Sequence, residues 1–282
     1  MNKDVVKITI SNQDILAIKN AKANMENIGW LMQSLNKIGG TLETGIDKIP
    51  KKQQQWLQNA VEKTLRVVVK SNLATMQKGA AFKIPSNKTY KALVTTSGAT
   101  SGFFGSTTGI GTAIFASELT ISTKFMMRSI IDIARSQGED INSIDTQLAC
   151  LQVFTLGGQS KNDDGLETSY YTTRIALSSA VKGASTYIAQ HGSSQVLGSL
   201  LKSSSNPIMR LIAIVASRFS IQVSEKFIAQ AIPVVGAVGG GSLNFLFLNH
   251  FQNVANAHFT IRKLERKYSE ELVREAYLNV KL

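Results

Sequence analysis

The chain has little that would let it be stapled, kinked or tiled with aromatics. A single cysteine, Cys150, excludes an internal disulfide framework. Only four prolines occur in 282 residues, at Pro50, Pro85, Pro207 and Pro233, so long stretches run without a helix breaker. Acidic residues are few, 19 against 31 Lys and Arg, which gives a formal net charge of +12. Two stretches carry no Asp, Glu, Lys or Arg at all: the 24 residues from Val94 to Ser117, and the 35 between Lys226 and Arg262. Disorder is excluded, because 43% hydrophobic residues supply one sizeable core or two small ones. Met1-Asn2-Lys3-Asp4 opens no apolar run of the kind a secretory signal needs. With one cysteine, that makes a reducing, cytoplasmic setting the expectation.

Familiar signatures are missing too. Gly109-x-Gly111 has Ile114 where a dinucleotide loop needs its third glycine, and no Gly-Lys-Ser/Thr closes a phosphate loop. There is no Gly-x-Ser-x-Gly elbow, and Cys150, between Ala149 and Leu151, reads as core rather than nucleophile. Nucleic acid is not expected, since no docking motif and no aromatics interleave with the basic residues. No metal site is indicated, and the sequence leaves any cofactor unknown. His250 and His258 stand eight residues apart, about 12 Å along a helix, too far to share an ion.

What the chain does have is helical periodicity. Ile15, Ile18, Ala21, Met25, Ile28, Met32 and Leu35 mark one face of a helix starting near Asn12 or Asp14, with Gly39-Gly40 to stop it. After Pro50 the residues Trp56, Ala60, Thr64, Val67 and Val68 continue the spacing, with Lys63, Arg66 and Lys70 facing outward. Residues 1 to 91 hold 15 basic and 6 acidic side chains, a net +9, so 1–88 reads as a basic amphipathic helical module. Val5 to Ile10 alternates and reads as a short strand, with nothing to pair with. Further helices are expected over Glu118–Gln137, Ser143–Leu156, Leu166–Gln190, Pro207–Ala231, Pro233–Tyr268 and Ser269–Asn279. The fold class is all-α, a compact multi-helix domain.

Glycine crowds both uncharged runs. Gly98-x-x-x-Gly102, Gly105-x-x-x-Gly109 and Gly236-x-x-x-Gly240 have the small-residue spacing that lets two helices touch, so two central glycine-rich segments are expected to pack together. Twenty-four residues span about 36 Å as a helix, enough for a hydrocarbon layer of about 30 Å. A soluble core, a reversibly inserting segment and a permanent span are all compatible with that length. Phe103, Phe104, Ile110, Ile114 and Phe115 are the candidate membrane contacts. The serine and threonine between Thr95 and Thr108 argue against a permanent span. The basic module fits an anionic membrane surface, each Lys or Arg near it being worth about 1 kcal/mol.

Glu118 is the first charge after the first uncharged run, so once buried it needs a partner. Such a carboxylate reads as a general acid, a metal ligand or a structural ion pair; combined with Asp132, His250 and His258 it is the one constellation resembling an enzyme pocket, metal-dependent or hydrolytic. Arg128, Asp132 and Arg135 form an ion-pair ladder along the same helix.

Three blocks carry a family resemblance. The first runs through Gly102-Phe103-Phe104-Gly105, Glu118-Leu119, Met127-Arg128-Ser129-Ile130, Asp132-Ile133-Ala134-Arg135 and Gly138-Glu139-Asp140. The second holds Gly157-Gly158, Asp163-Asp164, Tyr170-Tyr171 and Arg174. The third holds Ala231-Ile232-Pro233-Val234-Val235-Gly236-Ala237, Asn244, His250-Phe251-Gln252, His258-Phe259 and Arg262 to Tyr268. Together they resemble the EcsC family of bacterial proteins over 89–282; the first 85 or so residues fall outside the blocks. The resemblance implies a helical, cytoplasmic domain, possible membrane association at the inner face of the cell membrane, and a link to an ABC transporter partner. It implies no catalytic residue. The recurrent polar positions it matches, Glu118, Arg128, Asp132, His250, His258 and Arg262, form a candidate shared network.

Overall fold

A computed structural model describes residues 9–26, 49–77, 109–156, 169–200, 206–231 and 233–282. Among them lie eight helices and no strand: α1 (Asn12–Glu26), α2 (Lys51–Gln77), α3 (Gly109–Ser136), α4 (Ile144–Leu156), α5 (Ser169–Ser199), α6 (Pro207–Ala231), α7 (Pro233–Lys267) and α8 (Glu270–Asn279). The all-α expectation is met. The expected strand at Val5–Ile10, the stop at Gly39-Gly40 and most of the glycine-rich run from Val94, with Gly98, Gly102, Phe103, Phe104 and Gly105, fall outside the described residues.

Helix starts and stops follow local chemistry. Ser269 caps α8, its hydroxyl accepting from the Leu272 amide while Glu270 and Glu271 sit in the positive first turn. Ser143 does the same for α4, accepting from the Thr146 amide at 3.1 Å. At the end of α3 the Glu139 amide donates to the Ala134 carbonyl and the Gly138 amide to Arg135. That Schellman arrangement needs the positive φ of 82° that Gly138 supplies. It turns the chain so that Glu139 faces back across the bundle. Gly192, with φ 69°, breaks α5 into two axes near its C-terminal end.

α7 organises the bundle: it packs on α1, α3, α4, α6 and α8. Four phenylalanines hold its middle, with Phe154 4.8 Å from Phe219, and Phe251 5.3 Å from Phe154 and 5.2 Å from Phe247. Burying each ring contributes about 1.5–3 kcal/mol. α4 lies inside, its residues Thr146 to Leu156 all buried, with Cys150 among them as core.

The second uncharged run therefore splits. From Leu243 onward it is core, with Phe247, Leu248, Phe251, Val254 and Ala255 buried. Its glycine-rich part, with Gly236 and Gly240, forms the first turns of α7. Gly109 and Ile110 open α3, and α3 and α7 pack on each other. Phe115, expected at a membrane, is 1% exposed and meets Phe227 edge-on at 5.1 Å; Ile114 is half-buried.

The N-terminal helices share this core. α2 packs on α6, α3 and α5, and α1 lies along α7 and α8. Ile18, Ala21 and Met25 are buried as the spacing predicts, but Ile15 is 39% exposed. On α2 the expected Thr64 and Val68 are buried, and Leu57, Val61, Leu65 and Leu73 beside that face are buried as well, because helices press on α2 from more than one side. Val67 is left 36% exposed. The boundary expected at residue 88 falls in a stretch outside the described residues, and buried side chains from both sides of it contribute to the same core.

Candidate functional site

Two polar constellations cross the bundle. The first is a pair sealed in hydrocarbon. Lys226 Nζ of α6 donates to Glu118 Oε1 of α3 at 2.6 Å, with the side chains 1% and 3% exposed. The ammonium also sits 5.3 Å from the Phe247 ring centre and 5.9 Å from that of Phe115. Of the readings open to a buried Glu118, the geometry is that of the structural ion pair.

The second is a seam where the ends of α3 and α7 meet the starts of α4 and α5. Arg174 clasps Glu265 through two hydrogen bonds of 2.6 and 3.0 Å and donates to the Tyr170 oxygen at 3.2 Å. Tyr171 donates to the same carboxylate at 3.1 Å. One turn along α7, Arg262 grips Glu139 at 2.9 and 3.1 Å, joined by Arg266 and by the Thr146 hydroxyl. The Arg174 guanidinium stands 5.4 Å from the ring centres of Tyr170 and Tyr171, and Tyr277 packs against both rings.

His258 completes the seam. Its Nδ1 lies 3.0 Å from the Tyr170 hydroxyl, and its Nε2 is buried with no hydrogen-bond partner. With Arg174 donating to the phenolic oxygen, we assign the phenol's proton to the Nδ1 line, which leaves the N–H on Nε2. Burial, with Arg174 and Arg262 nearby, holds the ring's pKa well below its usual value, so the imidazole is neutral at physiological pH. Burial likewise pushes the Tyr170 phenol and the Cys150 thiol upward. Burial would raise Glu139, but the hydrogen bonds and charge of Arg262 and Arg266 outweigh it and hold the carboxyl below its ordinary range. The seam is a clamp that fixes four helix ends.

The network expected from sequence thus falls apart into separate places. Glu118 pairs with Lys226. Asp132 pairs with Arg135 at 3.5 Å, and Arg128 is exposed rather than in a buried network. Glu118 and Asp132 are 14 residues apart on one continuous helix, about 21 Å, so no single pocket unites them with the two histidines. His250 is buried beside Phe251, two turns from His258. Only His258 and Arg262 share the seam. Sequence reading singled out neither Lys226 nor Tyr170, Arg174, Glu139 and Glu265 as site residues. Their signals are readable in retrospect: Lys226 borders the second uncharged run as Glu118 borders the first, and Arg262, Glu265 and Arg266 repeat at helical spacing. Among the described residues no group of His, Cys, Asp or Glu is gathered to hold a metal.

Among the described residues one helix segment, Pro207–Ile228, is long and apolar enough to cross a membrane, and more than half of its apolar window is buried inside the fold. Neither a curated protein nor a solved structure matches the chain. The model of the EcsC protein family matches residues 12–264, taking in α1 and α2, which the three sequence blocks had left outside. The chain belongs to the EcsC protein family.

Proposed function

We propose that the chain is a peripheral membrane protein that docks reversibly on anionic lipid through the outer faces of α2 and α3. One observation carries this reading: every acid on these two helices is engaged, while their exposed cations are not. Glu62 pairs with Arg66, Glu118 with Lys226 and Asp132 with Arg135. Lys52, Lys63, Lys124 and Arg128 are exposed and make no ion pair among the described residues. Helical spacing puts Lys52, Lys63 and Val67 on one face of α2, and Ile121, Lys124 and Arg128 on one face of α3. The Thr64 and Thr120 hydroxyls, 3.1 Å apart, join the two helices beside those faces. Val67 and Ile121 are 36% and 45% exposed, apolar points among the charges.

Magnitudes favour weak, reversible docking. Four cations at about 1 kcal/mol each give about 4 kcal/mol, roughly millimolar on their own. Shallow burial of two aliphatic side chains, at about 25 cal/mol per Å², adds on the order of 1 kcal/mol each. Deep insertion is not needed, and Phe115 and the run from Leu243 are already committed to the core.

Co-sedimentation tests the proposal. The protein is expected to pellet with equimolar phosphatidylglycerol and phosphatidylcholine vesicles at low salt, and to be released at high salt. Lys63→Glu, Lys124→Glu and Arg128→Glu combined should abolish pelleting without altering the melting temperature. Wild-type protein left in the supernatant at low salt, or a triple variant that pellets like wild type, would overturn it.

A further inference from the structure

The outer side of α7 is the part of the second uncharged run that the core does not absorb. A solvated helix face ordinarily carries charged residues. The outward positions here hold Phe245, Asn249, Asn253, Asn256 and Thr260, and the exposed charge that follows them is Lys263. α7 runs beside α3 in the same direction. Gln252 Nε2 donates to Ser129 Oγ at 2.7 Å and Arg262 Nε to Glu139 Oε1 at 2.9 Å, each bond joining residues 123 apart. α7 residues therefore stand level with α3 residues 123 before them. The buried sides of both helices face one core, so their exposed sides share an outer surface. On it Asn256 lies one turn beyond Gln252, along the edge where α7 meets α3. Asn253 is level with Ile130, about 3 Å along the axis from the exposed Arg128. Phe245, 39% exposed, is level with Ser122 and so with Ile121, 45% exposed.

Two amides thus stand between two cations, Arg128 on one side and Lys263 two turns past Asn256. The side chains of Asn253 and Asn256 make no hydrogen bond among the described residues. We infer that this strip extends the lipid-docking face and selects anionic lipids whose headgroups end in hydroxyls. The inference rests on the docking reading above and names the lipid class. The cations meet the lipid phosphate, which fixes the partner as an anionic leaflet. A hydroxyl donates one hydrogen bond and accepts another, and a side-chain amide does both, so a glycerol headgroup pairs with Asn253 and Asn256 while its phosphate meets Arg128. A serine headgroup has the same net charge but places an ammonium among these cations. The acid at the level of Asn256, Asp132, is 11% exposed and held by Arg135, so it offers that ammonium little.

Co-sedimentation of the full chain at low salt compares equimolar phosphatidylglycerol and phosphatidylcholine vesicles with equimolar phosphatidylserine and phosphatidylcholine vesicles, which carry the same surface charge. The glycerol headgroup is expected to bind about fivefold more tightly, the effect of one net hydrogen bond. Asn253→Ala combined with Asn256→Ala should bring the ratio of the two affinities to about one. Equal binding of the two lipids by the wild-type chain, or tighter binding of the serine headgroup, would overturn the inference and leave docking through α2 and α3 standing. A glycerol preference that survives the double variant would overturn it as well, because the amides then do not carry it. A chain that pellets with neither vesicle removes the docking reading itself, and this inference with it. The wild-type comparison needs no variant to fold.

Discussion

The Glu118–Lys226 pair and the Arg174–Glu265–Glu139 seam join carboxylates to cations in opposite ways. The first joins two side chains that are 1% and 3% exposed, with two phenylalanine rings beside the ammonium. The second spreads two carboxylates over three arginines, two hydroxyls and a bundle edge where Arg266 is 42% exposed. Removing half of the enclosed pair strands a charge in hydrocarbon. The seam is redundant: each carboxylate keeps another donor when one is lost. One region sets which helices must meet; the other tolerates change and fixes their ends.

The largest test of that difference is Glu118→Ala, which should destabilise the fold by about 3–5 kcal/mol in chemical denaturation. Replacing both members, Glu118→Leu with Lys226→Met, should recover most of that loss, because the desolvation cost of both charges disappears. At the seam, Arg174→Met should cost less, about 1.5–3 kcal/mol, since Tyr171 still donates to Glu265. A cost at Arg174 equal to that at Glu118 would erase the contrast.

Two smaller effects sharpen it. Glu225, half-buried on α6 next to Lys226, has its pKa pushed up by burial to about 7. A carboxyl raised above its unfolded value stabilises fully below that value and loses the contribution as pH rises through about 7. Glu225→Gln should therefore raise the melting temperature at pH 8 and leave it nearly unchanged at pH 4. Glu139 runs the other way: its carboxyl is held low, so its contribution is complete above the ordinary carboxylate range and fades as pH falls below it. The half-buried Glu62–Arg66 pair, one helical turn apart, should matter least, with Glu62→Gln costing about 0.3–0.5 kcal/mol and less at high salt.

Much of the architecture was legible because helical spacing and caps are local. Ser269, Pro207, Pro233 and the Ser143 cap mark boundaries that the structure keeps. Faces were less legible where a helix has more than one neighbour: α2 buries Leu57, Val61 and Leu65 because α3, α5 and α6 all press on it. Partnerships across the bundle were least legible. Nothing in the spacing of Glu118 says that its cation is Lys226, 108 residues on. The mirrored position of these two charges, each beside an uncharged run, is the one clue. Phe115 failed as a membrane contact for the same reason: an apolar residue in an uncharged run looks identical in a core and in lipid.

The docking face is where the account is most exposed. Cys150 is fully buried, so an Ile121→Cys variant carries one accessible thiol for a polarity-sensitive fluorophore. On adding phosphatidylglycerol vesicles at low salt, the label should shift its emission to the blue as it enters the interface, and shift back at high salt. An emission spectrum that stays that of the free protein while the chain is bound to those vesicles would contradict docking through α2 and α3.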